Sequence, residues 1–100
     1  MINRIAKGNR TQKRLREMLE DKGYLVYMIV HSRYQKDIWG LWDGCSLKQD
    51  EFFFLQAKTN TTGLERKTQP HRKFCEKYNI QGKIFNWLGR KKEWHIIEYP

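Results

Sequence analysis

DIWGLWDGCSLKQDEFFFLQAKTN, residues Asp37–Asn60, reads as two β-strands around a tight turn drawn from Lys48, Gln49 and Asp50. The strands it predicts are Ile38–Ser46 and Glu51–Thr59. A hairpin centred between Gln49 and Asp50 sets Asp43 directly opposite Gln56. Alternate side chains of a strand share a face. Phe52, Phe54, Gln56 and Lys58 therefore point one way, and Phe53, Leu55 and Ala57 the other. An acid, an amide oxygen and an ammonium gather at one edge of a very apolar sheet. A core has no use for such a group, whereas a metal-dependent phosphodiesterase needs one: oxygen ligands for Mg²⁺ or Mn²⁺, a positioned water and a cation beside the phosphate. Asp43 is the natural bridging ligand. Gln56 offers a neutral carbonyl oxygen, and Lys58 can orient water and offset developing charge.

An Asp, this spacer, and then Gln56-Ala57-Lys58 in the place of a Glu-x-Lys tripeptide resemble the PD-(D/E)XK nuclease superfamily. Within it the archaeal-type Holliday junction resolvases are most similar. Lys7-Gly8 ahead of a helix, Asp21-Lys22-Gly23-Tyr24 at its end and Ser32 after the first strand also resemble that group. The chain departs from the pattern at three positions. Gln56 stands where the family has an acid, Trp42 where it has Pro, and Gln12 where the resolvase helix carries Glu. The resemblance implies a restriction-endonuclease-like α-β-β-β-α-β core with a mixed sheet, here with an extra C-terminal strand. It implies the backbone carbonyl of Ala57 as a third metal ligand beside Asp43 and Gln56, and Gln12 as a site residue with Asp43, Gln56 and Lys58. It implies a DNA endonuclease acting on branched or duplex DNA. Two symmetric cuts in a four-way junction call for a homodimer. The alternative is a non-catalytic nucleic-acid-binding module on the same fold, its acids replaced at Gln12 and Gln56.

The remaining segments predict the order α-β-β-β-α-β-β in a single domain spanning residues 1–100. Leu15, Met18, Leu19 and Lys22 recur at helical spacing and predict a helix over Arg10–Lys22, capped by Asn9 or Thr11 and closed by Gly23. On its wheel Gln12 shares the face of Leu15 and Leu19, and Glu17 faces solvent. Tyr24–Val30 predicts a short strand. Thr59–Gln69 reads as the loosest stretch, and Pro70–Tyr78 as a second helix with Pro70 in its first turn. Lys83–Leu88 and Glu93–Tyr99 predict a last hairpin. FFFLQA, apolar on both faces, reads as a central strand. Asp37 lies about 20 Å from Asp43 along a straight strand, too far to share an ion unless Gly40 bends the chain, so a loop contact is expected of it.

The chain has 100 residues, 4 Trp, 5 Tyr and 5 Phe, so aromatic side chains must supply much of its burial. Its net charge of +9 points to a polyanion, most simply nucleic acid. The charge is segregated. Residues 1–22 hold seven Lys/Arg against three Asp/Glu, residues 23–57 three against four, and residues 58–92 ten against two. Three basic groups result: Lys7, Arg10, Lys13 and Arg14; Arg66, Lys67, Arg72 and Lys73; and Arg90, Lys91 and Lys92. With Ser32, which the resolvase resemblance marks, they are the candidate DNA contacts. They grip phosphate without reading sequence. His31 is a further candidate base or phosphate contact.

Cys45 and Cys75 show neither CxxC nor Cys/His zinc spacing and are expected as reduced thiols. MINRIAKGNR has no apolar leader region, and the longest apolar run, Tyr24–Val30, is far below the roughly 20 residues of a membrane helix. A soluble cytoplasmic protein is expected.

Overall fold

A computed structural model describes residues 4–29 and 37–100, with side chains from residue 10 onward. A five-stranded mixed sheet runs in the order β1-β2-β3-β4-β5, with helices on both faces. The elements are α1 (Arg4–Asp21), β1 (Leu25–Met28), β2 (Gly44–Lys48), β3 (Glu51–Thr59), α2 (Leu64–Lys67), α3 (Gln69–Tyr78), β4 (Gly82–Leu88) and β5 (Glu93–Tyr99). Strands β1, β2 and β3 form an antiparallel meander, β4 lies parallel to β3, and β5 returns antiparallel to β4. The parallel pair needs a crossover, which α2 and α3 supply. Among the described residues no helix is long and apolar enough to cross a membrane.

Helix α1 starts earlier than its apolar spacing indicates, running through Gly8, Asn9 and Thr11, so neither Asn9 nor Thr11 caps it. Its end is as read. Gly23 sits at φ 92, and the Tyr24 amide bonds back to the Leu19 carbonyl, the left-handed close that glycine adopts without a Cβ penalty. Thr59–Gln69, read as loop, contains the one-turn helix α2. Leu64 anchors it in the core, and the buried Thr68 hydroxyl bonds the Leu64 carbonyl at 2.7 Å and the Tyr99 hydroxyl at 2.6 Å.

The largest departure lies at residues 38–43. Instead of a strand from Ile38, the chain makes a turn closed by an Ile38–Trp42 bridge, with Trp39 and Gly40 both at positive φ. The strand begins only at Gly44 and runs on to Lys48. Gly40 therefore does bend the chain, and Asp37 caps that bend by accepting the Gly40 amide at 2.9 Å.

Each face of the sheet has its own core. On one, Leu15 and Leu19 of α1 pack on Met28, Phe53, Leu55 and Phe85. On the other, Trp42, Leu64, Cys75, Ile84 and Tyr99 pack together beneath α3. Full burial of a side chain of this size is worth about 1.5–3 kcal/mol, so both layers matter to a chain of this length. At the end of the sheet that carries the β2–β3 turn, the Tyr24 hydroxyl donates to Glu51 at 2.9 Å. Lys83 pairs there with Glu51 and Glu98, its ammonium 4.3 Å above the Phe53 ring. The Tyr24 hydrogen bond, helped by Lys83, holds the Glu51 carboxyl below the usual range. Cys45 is half-buried and Cys75 buried, both free thiols that burial pushes up.

Candidate functional site

The β2–β3 hairpin pairs Lys48 with Glu51, Cys45 with Phe54 and Gly44 with Leu55. Gln49, at φ 51, and Asp50 make a two-residue turn. The regular register ends there: the Asp43 amide bonds the Leu55 carbonyl at 2.8 Å, the residue already paired with Gly44, so the strand bulges and Asp43 falls beside Leu55 rather than directly opposite Gln56 as the hairpin pattern predicts. Asp43 is 3 % exposed, and its Oδ2 accepts the Ala57 amide at 2.8 Å. The acid is thereby tied to the second position of Gln56-Ala57-Lys58. Gln56 and Lys58 are half-buried on the face of β3 that α3 covers. The Gln56 Nε2 donates to the Ala57 carbonyl at 3.3 Å. A half-turn of that amide would set two oxygens, Gln56 Oε1 and Ala57 O, side by side.

A residue missed by the sequence reading stands next to this group. His71 of α3 is 7 % exposed and meets Trp42 edge to face at 4.9 Å between ring centres. Its Nε2 bonds the Leu41 carbonyl at 2.7 Å. A carbonyl can only accept, so Nε2 carries the proton. Nδ1 is buried with no hydrogen-bond partner. Burial pulls the His71 pKa down, the bond to Leu41 opposes this, and the charges of Lys58 and Asp43 both reach the ring. His71 thus ties α3 to the turn that delivers Asp43. The signal available in the sequence was weak, a His one residue past Pro70 in a helix whose register was set by Phe74 and Tyr78.

Gln12 is 7 % exposed on the core face of α1, and Glu17 is exposed, as the wheel predicts. Thr11 hydrogen-bonds Thr59 at 2.6 Å, which brings α1 to the end of β3 just beyond Lys58. Ser32 and His31 lie outside the described residues, and Lys7 lies on α1 with its side chain outside them. Among the described residues no three of His, Cys, Asp and Glu cluster as a metal site would require. An oxygen set from Asp43, Gln56 and the Ala57 carbonyl contains only one such residue. Its hard oxygens suit Mg²⁺ or Mn²⁺, ions that keep several waters.

The basic groups converge on this same end of the sheet. Arg10, Lys13 and Arg14 are exposed on α1, and the Arg14 guanidinium lies 4.3 Å over Trp87, near the end of β4. The turn carrying Arg90, Lys91 and Lys92 is held beside Asn60, whose side chain accepts the Gly89 amide at 2.9 Å. Exposed Arg66 and Lys67 lie on α2, which follows Thr61, and Thr61 is bonded to Asn86. Exposed Arg72 and Lys73 follow His71 on α3, with Arg72 paired to Glu76 at 3.0 Å. Of the tryptophans, Trp42 is core and Trp87 and Trp94 are half-buried, but Trp39 is 70 % exposed. Comparisons with protein-family models, with curated proteins and with solved structures found no match for this chain.

Proposed function

We propose that the chain is a metal-dependent DNA endonuclease on a restriction-endonuclease-like α/β fold, acting with Mg²⁺ or Mn²⁺ on branched or duplex DNA as a pair of copies. The observation that carries this reading is the buried Asp43 carboxylate bonded to the Ala57 amide, between Gln56 and Lys58, which share one face of β3. Asp43, Gln56 and the Ala57 carbonyl would hold the ion. The ion would lower the pKa of a bound water and draw charge from the scissile phosphate. The protein's own part is positioning. The Ala57 amide orients the carboxylate, His71 holds the preceding turn, and the Lys58 ammonium opposes the charge that builds on phosphate oxygens in the transition state. Gln12, buried on α1, completes the group as a neutral hydrogen-bonding residue. The basic end of the sheet supplies phosphate contacts from Lys7, Arg10, Lys13, Arg14, Arg66, Lys67, Arg72, Lys73, Lys91 and Lys92, with Ser32 a further contact.

A second reading, a binding module without chemistry, is favoured by the amides at Gln12 and Gln56, which leave one carboxylate to hold a divalent ion. The two are separated with junction, duplex and single-stranded DNA in Mg²⁺, Mn²⁺ or EDTA. The endonuclease cuts with metal, and Asp43→Asn abolishes cutting while DNA binding is kept or strengthened. Lys58→Ala lowers the rate more than the affinity. Gln56→Glu tightens metal binding. Binding without cutting by the wild type, unrescued by Gln12→Glu with Gln56→Glu, would leave the binding module.

A further inference from the structure

Helix α3 covers only part of its face of the sheet. The cross-strand pairs Leu25–Leu47, Leu47–Phe52, Tyr27–Cys45 and Cys45–Phe54 place six side chains of β1, β2 and β3 on that face. Directly paired residues point the same way. The rings continue the surface: Phe52 lies 5.3 Å from Phe54, Phe54 lies 5.8 Å from Trp39, Trp39 5.6 Å from Phe74, and Phe74 4.9 Å from Tyr78. Much of it is open: Leu25 is 71 % exposed, Tyr27 62 %, Trp39 70 % and Tyr78 59 %. Six of the seven large exposed apolar side chains among the described residues belong to it, and the seventh, Ile96, lies on the α1 side, paired with Phe85. A cavity of about 600 Å³ between Trp39, Leu41, Phe54, Phe74, Tyr78 and Ile80 indents one flank.

We propose that this face is where a second copy of the chain docks, in a two-fold symmetric dimer. Area, charge and shape argue for a second copy. A full aromatic side chain offers roughly 150–250 Å², so the exposed fractions of the four aromatics leave on the order of 450 Å² open, and two leucines add to it. A standard interface takes about 800 Å² per partner, roughly two-thirds of it apolar in homodimers, which this surface meets. At its edge the exposed Lys77 ammonium lies 5.3 Å over the Tyr78 ring, whereas the residues at its centre carry no charge. Two chains of charge +9 can therefore meet across its centre without burying a charge, with Lys77 at the rim and their basic ends free. A two-fold axis also lets the Leu25–Tyr27 strand of each copy lie toward the indentation of the other, as an isologous contact requires.

The inference deepens the proposed function, which calls for two copies, and rests on that reading for the partner's identity. Its test does not require cleavage. Sedimentation equilibrium of the purified chain without DNA, from sub-micromolar to the highest soluble concentration, should show a monomer–dimer equilibrium. Trp39→Glu and Tyr27→Glu should each shift it fully to monomer with unchanged circular dichroism, since both side chains are exposed in one copy. Ile96→Glu, on the opposite face, should remain dimeric. A wild type that stays monomeric throughout, dimers that survive both substitutions, or loss of the dimer in Ile96→Glu would each overturn the proposal. A monomer that cuts DNA sinks this interface alone, and a dimer that cuts nothing sinks the nuclease reading alone.

Discussion

His71 shows how much a buried side chain can contribute to a site it does not belong to by sequence position. Its imidazole holds the Leu41 carbonyl, and two residues later the chain delivers Asp43 to the Ala57 amide. The ring is kept neutral mainly by burial, which lowers its pKa from the ordinary value of about 6.5. Such a group binds its proton later than the unfolded chain does as pH falls. Stability is then complete above about pH 6.5 and declines below it, until the folded-state pKa is reached. Thermal unfolding followed from pH 7.5 down to 5 should show that decline, and His71→Gln should flatten it while costing stability at neutral pH. A wild-type melting temperature no more sensitive to pH than the variant's over that range would remove His71 from the account. In a metal titration by calorimetry, His71→Ala should weaken Mn²⁺ binding although His71 is no ligand, because the Asp43 turn loses its tie to α3.

At the scale of elements, the first turn of β4 is the tightest joint between strand and helix. A Cβ on Gly82 would run into the Trp42 ring and come within 2.8 Å of the Cys75 sulfur. Both neighbours are fully buried and have no room to yield. Gly82→Ala should destabilise the protein by about 1–3 kcal/mol through overpacking, read as a lower urea midpoint. Gly89→Ala is the control, since its Cβ would meet only the Asn60 side chain at 3.6 Å, and it should change the midpoint little. Because Trp42 precedes Asp43, the Gly82 variant should also lose activity beyond what its unfolded fraction explains. Comparable losses in both glycine variants would contradict this packing argument.

Across the whole molecule, charge is sorted along the strands. Lys83 offsets part of the charge of Glu51 and Glu98 at the end that carries the β2–β3 turn. The arginines and lysines of α1, α2, the start of α3 and the β4–β5 turn crowd the other end, where Asp43 lies. Each phosphate neutralised releases counterions, so affinity for DNA should fall linearly with salt on a logarithmic scale. Replacing Lys91 and Lys92 with Ala should weaken binding alike for all sequences and reduce the slope by about 2. Arg14 is already stacked on Trp87, so Arg14→Ala should lower affinity partly through local packing, as a drop in melting temperature would show. Fluorescence anisotropy over a salt series reads the slopes, and a flat series would exclude a phosphate-dominated interface.

The sequence by itself determined the hairpin register. The polar Gln49-Asp50 centre between two apolar runs sets a two-residue turn, and that turn fixes the pairing from Lys48–Glu51 to Gly44–Leu55, because FFFLQA is apolar on both faces and would not fix it by pattern alone. The α1 face followed from helical spacing in the same way, including the burial of Gln12 against the exposure of Glu17. These patterns are local, and burial on one side enforces them. Tertiary structure alone decided the Ile38–Trp42 turn, where positive φ at Trp39 overrides a β-rich composition, and the one-turn helix α2, held by Leu64 and the Thr68–Tyr99 bond. It also decided the pairing of His71 with Leu41 and the open face of Leu25, Tyr27 and Trp39. Each of these rests on contacts between segments far apart in the chain, or on how far a helix reaches across a sheet, and no periodicity within one segment encodes either.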